Sequence, residues 1–193
     1  MKIVLGVTGG IAAYKMADLA SVLVNKNGHE VQVVMTEAAK KIITPMTMAT
    51  MSHRPILDDT REWSGDGHIW HIETAKWADM LLVCPATANT IAKMAQGVAD
   101  NVLTSIYMAL PARIHTIVFP AMNTKMWEAK QNMDNISILE KRPYNRVIYP
   151  EVGLLACGDT GIGKLPSIKT IVEHIGEQII IMEERARIKN ESR

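Results

Sequence analysis

A doubly wound α/β domain, three layers deep around a central parallel sheet, is the architecture this 193-residue sequence predicts. Three observations carry it. Short apolar runs alternate with helix-like segments along the chain, as βαβα folds require. The run Met80–Cys84 is apolar without interruption, as in a strand buried on both faces. The residues with chemical potential stand directly after such runs, where ligands collect in open parallel sheets, outside the carboxyl ends of the strands.

Taken in order, residues 2–6 read as a first strand and Val7-Thr8-Gly9-Gly10 as a tight turn. Ile11 to Lys26 reads as one helix with Ala12, Met16, Leu19, Ala20 and Leu23 on its apolar side, stopped by Asn27-Gly28. Glu30–Met35 gives a second strand, and Thr36 caps a helix opening Glu37-Ala38-Ala39. Residues 42–60 are ambiguous: Thr44-Pro45 suggests a helix start, and His53-Arg54-Pro55 a break. Ser64–Gly67 reads as a flexible loop delivering His68 and His71. After the strand Met80–Cys84 come a helix from Thr90 and a further helical piece around Leu103–Leu110, closed by Pro111. Thr116–Phe119 is a buried strand, Lys125–Glu140 a helix and Arg146–Tyr149 the last strand. Pro150–Gly163 reads as a flexible, glycine-rich flap, and Ser167 to about Arg187 as a closing helix. The expected organisation is one domain over 1–184 with a polar, solvated and frayed tail over 185–193.

Composition narrows the function. A net charge of +1 offers nothing to a nucleic acid or an anionic membrane surface. No apolar stretch approaches membrane-spanning length, and Thr8-Gly9-Gly10 with Lys15 argues against a signal peptide at the N-terminus, so the expectation is a cytoplasmic protein. Two cysteines make no disulfide framework. Thirteen methionines serve either as core filling or as adaptable surface between subunits.

Several patterns resemble sites and fail on particular residues. The turn after strand one lacks Gly-x-Gly-x-x-Gly, and Thr36 stands where a dinucleotide site needs an acid. A hydroxyl beside unpaired N–H groups suits a phosphate monoester, hence a mononucleotide such as FMN, although two ordinary tight turns read the same way. Gly158–Lys164 imitates a P-loop, but Leu165 replaces the hydroxyl that would hold Mg²⁺. His68 and His71 lack the third and fourth ligands of a zinc site, so no metal is expected. Cys84 reads as a small buried hydrophobe. Cys157, in a glycine loop, is the chemically available thiol. Asn123, just after a strand and a proline, either grips a carboxylate or caps the following helix.

Together these stretches resemble the flavin-containing cysteine decarboxylase family. The matching segments are Gly6–Lys15, Met35–Ala39, Ile43–Pro45, His71–Asp79, Pro85–Thr90, Pro120–Asn123 with Met126, and Ala156–Gly163, in the family's order. The resemblance implies a Rossmann-like, flavodoxin-like fold and FMN held by Thr8, Gly9, Gly10, Ile11, Ala12, Thr36, Thr44 and the loop Ala86, Thr87, Ala88 and Asn89. It implies 4′-phosphopantothenoyl-L-cysteine as substrate and 4′-phosphopantetheine and CO2 as products, within coenzyme A biosynthesis. The route it implies is thiol oxidation to a thioaldehyde, decarboxylation, and re-reduction of the enethiolate. His71 matches the essential histidine, Asn123 the residue that grips the carboxylate, and Cys157 the proton donor. Met122, Met126 and Lys164 match substrate-binding positions, Lys164 standing where an arginine is common and Thr74 where a leucine is common. The resemblance also implies homo-oligomers built on trimers, with the flavin at a subunit interface. Many bacterial relatives continue into a ligase domain; here the ligase is expected on a separate polypeptide. Two other readings belong to the same resemblance: a peptidyl-cysteine decarboxylase, which the Ala-Cys-Gly loop disfavours, and a regulatory FMN-binding protein, which ordinarily lacks one of the three catalytic residues.

Overall fold

A computed structural model describes residues 1–191. Five strands form one parallel sheet: β1 (Lys2–Val7), β2 (Glu30–Met35), β3 (Met80–Ala86), β4 (His115–Pro120) and β5 (Asn145–Val147). Their order is β2-β1-β3-β4-β5, with parallel pairing throughout. The order reverses between β1 and β3, the switch point at which flavodoxin-like folds open a crevice.

Alternate side chains of each strand enter opposite layers. Leu5, Val33, Leu82 and Phe119 pack against the helical segment 11–26, α3 (Pro45–Ser52) and α10 (Ile168–Glu191). Val4, Leu81, Val83 and Val118 pack against α5 (Trp70–Trp77), α6 (Ala88–Gln96), α7 (Val102–Ala109) and α9 (Lys130–Glu140). The three-layer sandwich expected from the alternation is therefore present. Each fully buried leucine or isoleucine contributes roughly 1.5–3 kcal/mol, and the strand runs supply them on both faces.

Several boundaries differ, each for a local reason. Ile11–Lys26 is a 3₁₀ turn (Ile11–Lys15), an α-helix α1 (Met16–Ser21) and a π-turn (Val22–Lys26) in succession. Apolar spacing fixes the buried face of such a segment and says little about its pitch. The small helices α2 (Glu37–Lys40) and α4 (Asp59–Glu62) begin at Thr36 and Asp58, whose side chains accept from Ala39 N and Arg61 N. The ambiguous stretch holds α3, capped by Thr44 and closed at His53 in the left-handed region. β3 runs two residues further than expected, through a cis Cys84–Pro85 bond, and α6 opens at Ala88 because Thr87 is its cap. The expected helix 125–140 is two, α8 (Thr124–Glu128) and α9, broken at Ala129.

The largest correction concerns 150–163. The expected flexible loop is an ordered antiparallel hairpin, β6 (Glu151–Leu154) and β7 (Thr160–Lys164). The expected frayed tail is helical as far as Glu191, and its last two residues, 192–193, lie outside the described residues. Among the described residues no helix is long and apolar enough to cross a membrane.

Candidate active site

Three strand ends and the hairpin converge. Thr8, at the end of β1, is buried; its hydroxyl donates to Pro85 O at 2.7 Å and accepts from Thr87 N at 3.0 Å. One side chain thus ties the first turn to the loop after β3. Ala121 N donates to Ala86 O at 3.1 Å, joining the loop after β4 to the same edge. Met122 N donates to Gly163 O at 3.0 Å, fastening the hairpin onto that loop. Gly163 is required there: its φ is 142°, and a Cβ would collide with the Met122 carbonyl oxygen.

These ties enclose a cavity of about 660 Å³. Its walls are Gly9–Ala12 with Tyr14 and Lys15, Thr87 and Ala88, Ala121–Asn123 with Met126, Leu154–Cys157, and Gly163–Leu165. Asn123 and Cys157, 34 residues apart in sequence, meet here. The Asn123 amide donates to Cys157 Sγ at 3.2 Å, while its oxygen accepts from Lys125 N at 2.8 Å and so caps α8. The capping reading of Asn123 is therefore present, and its amide N–H faces the thiol and the cavity. The Cys157 thiol, exposed, also donates to Asp159 Oδ2 at 3.4 Å. Cys84 is fully buried, and burial pushes its thiol far above the ordinary range.

Of the residues singled out in the sequence, Gly9, Gly10, Ile11, Ala12, Thr87, Ala88, Met122, Asn123, Met126, Cys157 and Lys164 line this cavity. Thr8 and Ala86 lie behind its wall, both buried. Thr36 and Thr44 cap α2 and α3, accepting from Ala39 N and Thr47 N, and Asn89 is exposed on the first turn of α6; these three lie outside the lining. His71 also lies outside it. It sits on α5, half-buried, with both its backbone N–H and its ring Nδ1 held by the buried Glu62 carboxylate. His68 stacks on Trp70 with ring centroids 4.5 Å apart and pairs with Glu73.

The donor set fits a flavin mononucleotide. Among the described residues no carboxylate lines the cavity, whereas Lys15 and Lys164 do, together with the backbone at the openings of α6 and of the 3₁₀ turn. Amides and cations without an acid suit a phosphate monoester. At Gly10 a Cβ would stand 3.6 Å from Pro85 Cγ and 3.7 Å from the Ala121 carbonyl, occupying wall space that glycine leaves free. The remainder of the lining is mostly apolar, with Ile11, Met122, Met126 and Leu155 among it, as ligand cavities commonly are.

The profile of the flavoprotein family matches residues 1–180. The chain belongs to that family. Among flavoprotein relatives, it is 45% identical over 178 residues to the probable phosphopantothenoylcysteine decarboxylase of Streptococcus mutans, covering 92% of this chain and 98% of that protein. It is 46% identical over 164 residues to the coenzyme A biosynthesis bifunctional protein of Vibrio vulnificus, covering 85% of this chain and 40% of that one. It superposes with a TM-score of 0.83, at 30% identity, on a solved PPC decarboxylase, a cysteine-to-serine mutant complexed with pantothenoylaminoethenethiol; the match covers 90% of this chain and 95% of the other. Solved proteins of the same fold include FMN-binding and FMN-dependent ones.

Sequence reasoning missed Tyr14, Lys15, Leu154 and Leu155 as lining residues and Glu62 as the partner of His71. Tyr14 was detectable: it and Ile11, three residues apart, place large apolar side chains off the buried side of their segment, and both are exposed, 59% and 61% accessible. Glu62 offers no such signal, because its separation of nine positions from His71 matches no helical or strand period across the intervening loop.

Proposed function

We propose that this flavoprotein is an FMN-dependent phosphopantothenoylcysteine decarboxylase, a carboxy-lyase that converts 4′-phosphopantothenoyl-L-cysteine to 4′-phosphopantetheine and CO2 in coenzyme A biosynthesis. The observation that carries it is the meeting of Asn123 and Cys157 in the same cavity as the glycine turn and the Thr87–Ala88 loop. The backbone of Gly9–Ala12 and Thr87–Ala88 would hold FMN, with Thr8 and Ala86 supporting that wall; Thr36, Thr44 and Asn89, outside the lining, are the positions of the expected set that this cavity does not include. When bound, FMN supplies the electron-accepting and electron-returning capacity that lets a thiol acid lose CO2 without net redox change.

The chain's own groups do the rest. The Asn123 amide, already anchored as a helix cap, presents its N–H to the substrate carboxylate and fixes its orientation. The Cys157 thiol, 3.2 Å from that amide, gives its proton to the product carbon. Leu155, buried next to the hairpin tip, gives the cavity an apolar wall against water, and the exposed Leu154 borders its opening. Met122 and Met126 supply adaptable apolar contact to the substrate arm, and Lys164 an exposed cation for its anionic end. Lysine acts there as a point charge, where an arginine would grip with a fork.

His71 deprotonates or positions the substrate thiol, and in one chain it does not reach this cavity. A homo-oligomer built on trimers, with the flavin between protomers, would supply a neighbour's histidine. The exposed Ile11 and Tyr14 at the cavity mouth support that assembly. Both cysteines are free, in keeping with a cytoplasmic protein.

The test is purification followed by absorption spectroscopy and measurement of CO2 release from 4′-phosphopantothenoyl-cysteine. Yellow protein and stoichiometric CO2 are expected. A flavin-loaded protein that releases none would leave it an FMN-binding protein of another role.

A further inference from the structure

We propose that Glu62 is the positioning residue for His71, holding its ring through Nδ1 so that Nε2 is the nitrogen offered to substrate. This rests on the reading of His71 given above and adds to it a residue without a place in that reading.

Glu62 ends α4, and its side chain is 5% exposed. A carboxylate that far from water needs strong partners. Both of its oxygens go to one residue: Oε2 accepts from His71 N at 2.9 Å, and Oε1 meets His71 Nδ1. An ionised carboxylate can only accept. The proton of a neutral imidazole is therefore drawn to Nδ1, and Nε2 keeps its lone pair. Among the described residues no hydrogen bond reaches Nε2, and the side chain remains 27% exposed. Backbone and ring are gripped by the same group, so the imidazole is fixed in direction as well as in tautomer. When Nε2 takes the thiol proton, its lone pair forms the N–H bond, the S–H bond breaks and the bonding pair stays on sulfur as a thiolate. The imidazolium then faces a carboxylate already in place.

A purely structural role is the competing explanation. Ile69, at the position before α5, provides no side-chain cap, and Glu62 Oε2 supplies that service to His71 N–H. The ring contact is separate from it. In Glu62→Gln one oxygen remains for two donors, so either the helix N–H or the ring must face the amide NH2.

The experiment uses the full-length, FMN-loaded protein labelled with ¹⁵N-histidine, with His71→Asn identifying the His71 signals. In the wild type, Nδ1 should appear protonated and Nε2 bare. In Glu62→Gln that fixed tautomer should be lost, kcat should fall roughly 10- to 100-fold, and KM should stay within about threefold, with flavin content unchanged. Glu62→Asp, which keeps the charge on a shorter arm, should recover part of kcat. A wild-type spectrum with Nε2 protonated would overturn the proposal. So would a Glu62→Gln protein whose melting point falls while tautomer and kcat persist, since that outcome describes a cap alone. Should Glu62→Gln fail to fold, the wild-type spectrum and Glu62→Asp still decide. If His71→Asn itself turns over normally, the reading of the reaction fails, while the tautomer result stands independently.

Discussion

The molecule carries two polar pairs of similar size and opposite construction. Asn123 and Cys157 come from a loop and a hairpin tip, and the thiol is open to solvent. Their mutual placement depends on backbone bonds elsewhere, chiefly Met122 N to Gly163 O. Glu62 and His71 come from two short helices, and the carboxylate between them is sealed from water. The first pair can part and close around a substrate, because neither partner leaves a buried charge behind. The second cannot separate without stranding one. Under the proposed function, admitting a thiol acid and holding a base in one direction fall to these two different kinds of contact.

Substitutions on either side sharpen that contrast. The largest effect should come from His71→Asn, which removes the proposed base and should lower CO2 release at least about 100-fold while flavin absorption persists. Full activity would remove His71 from the reaction. Cys157→Ser should act later: carbon dioxide still leaves, but decarboxylated product that has not been re-reduced accumulates, as mass spectrometry of the reaction mixture would show. Normal product at a normal rate would place the proton donor elsewhere.

Gly163→Ala attacks the tie beneath the first pair without touching either member. The new methyl group meets the Met122 carbonyl at a φ of 142°, and the expected cost is about 2 kcal/mol or more, read from denaturant unfolding. Activity should fall with it; an unchanged denaturation midpoint would mean that the hairpin is not fastened there.

The smallest effect belongs to the support of the second pair. Asp58 caps α4, on which Glu62 sits, and bonds Lys40 at 2.6 Å. Burial opposes its ionisation, but the Lys40 ammonium and the Arg61 N–H outweigh burial and hold its carboxyl below the ordinary 3.8. A depressed carboxyl stabilises the fold above its ordinary value and loses that contribution as the pH falls through the lower folded one. Asp58→Asn should therefore cost about 1 kcal/mol near pH 7 and progressively less below pH 4, where the melting curves of the two proteins should approach each other. A constant difference across that window would assign the cost to packing.

The parts legible in the sequence are those governed by short-range patterns. The run 80–84 announced a central strand because both its faces are buried, the run 30–35 announced a strand that proves to lie at the sheet edge, Thr36 announced a cap and Thr44-Pro45 a helix start. The hairpin was hidden because its outward residues include exposed Val152 and Leu154 and its inward ones glycines, which reverses the usual alternation. Of the candidate site, the segments at strand ends were legible, since topology alone brings them to one edge. The Glu62 contact was not, because it joins two helices across a loop with no period linking them.

One feature outside the site limits how copies of this chain can meet. Leu57 lies alongside β2, its N–H on Val33 O and its C=O on Met35 N, both at 2.9 Å. That stretch of the sheet margin is already spoken for by the chain itself, so a second molecule cannot extend the sheet across it strand by strand. Where this margin is concerned, self-association must be written in side chains, which can be specific in a way that a bare ladder of peptide groups cannot.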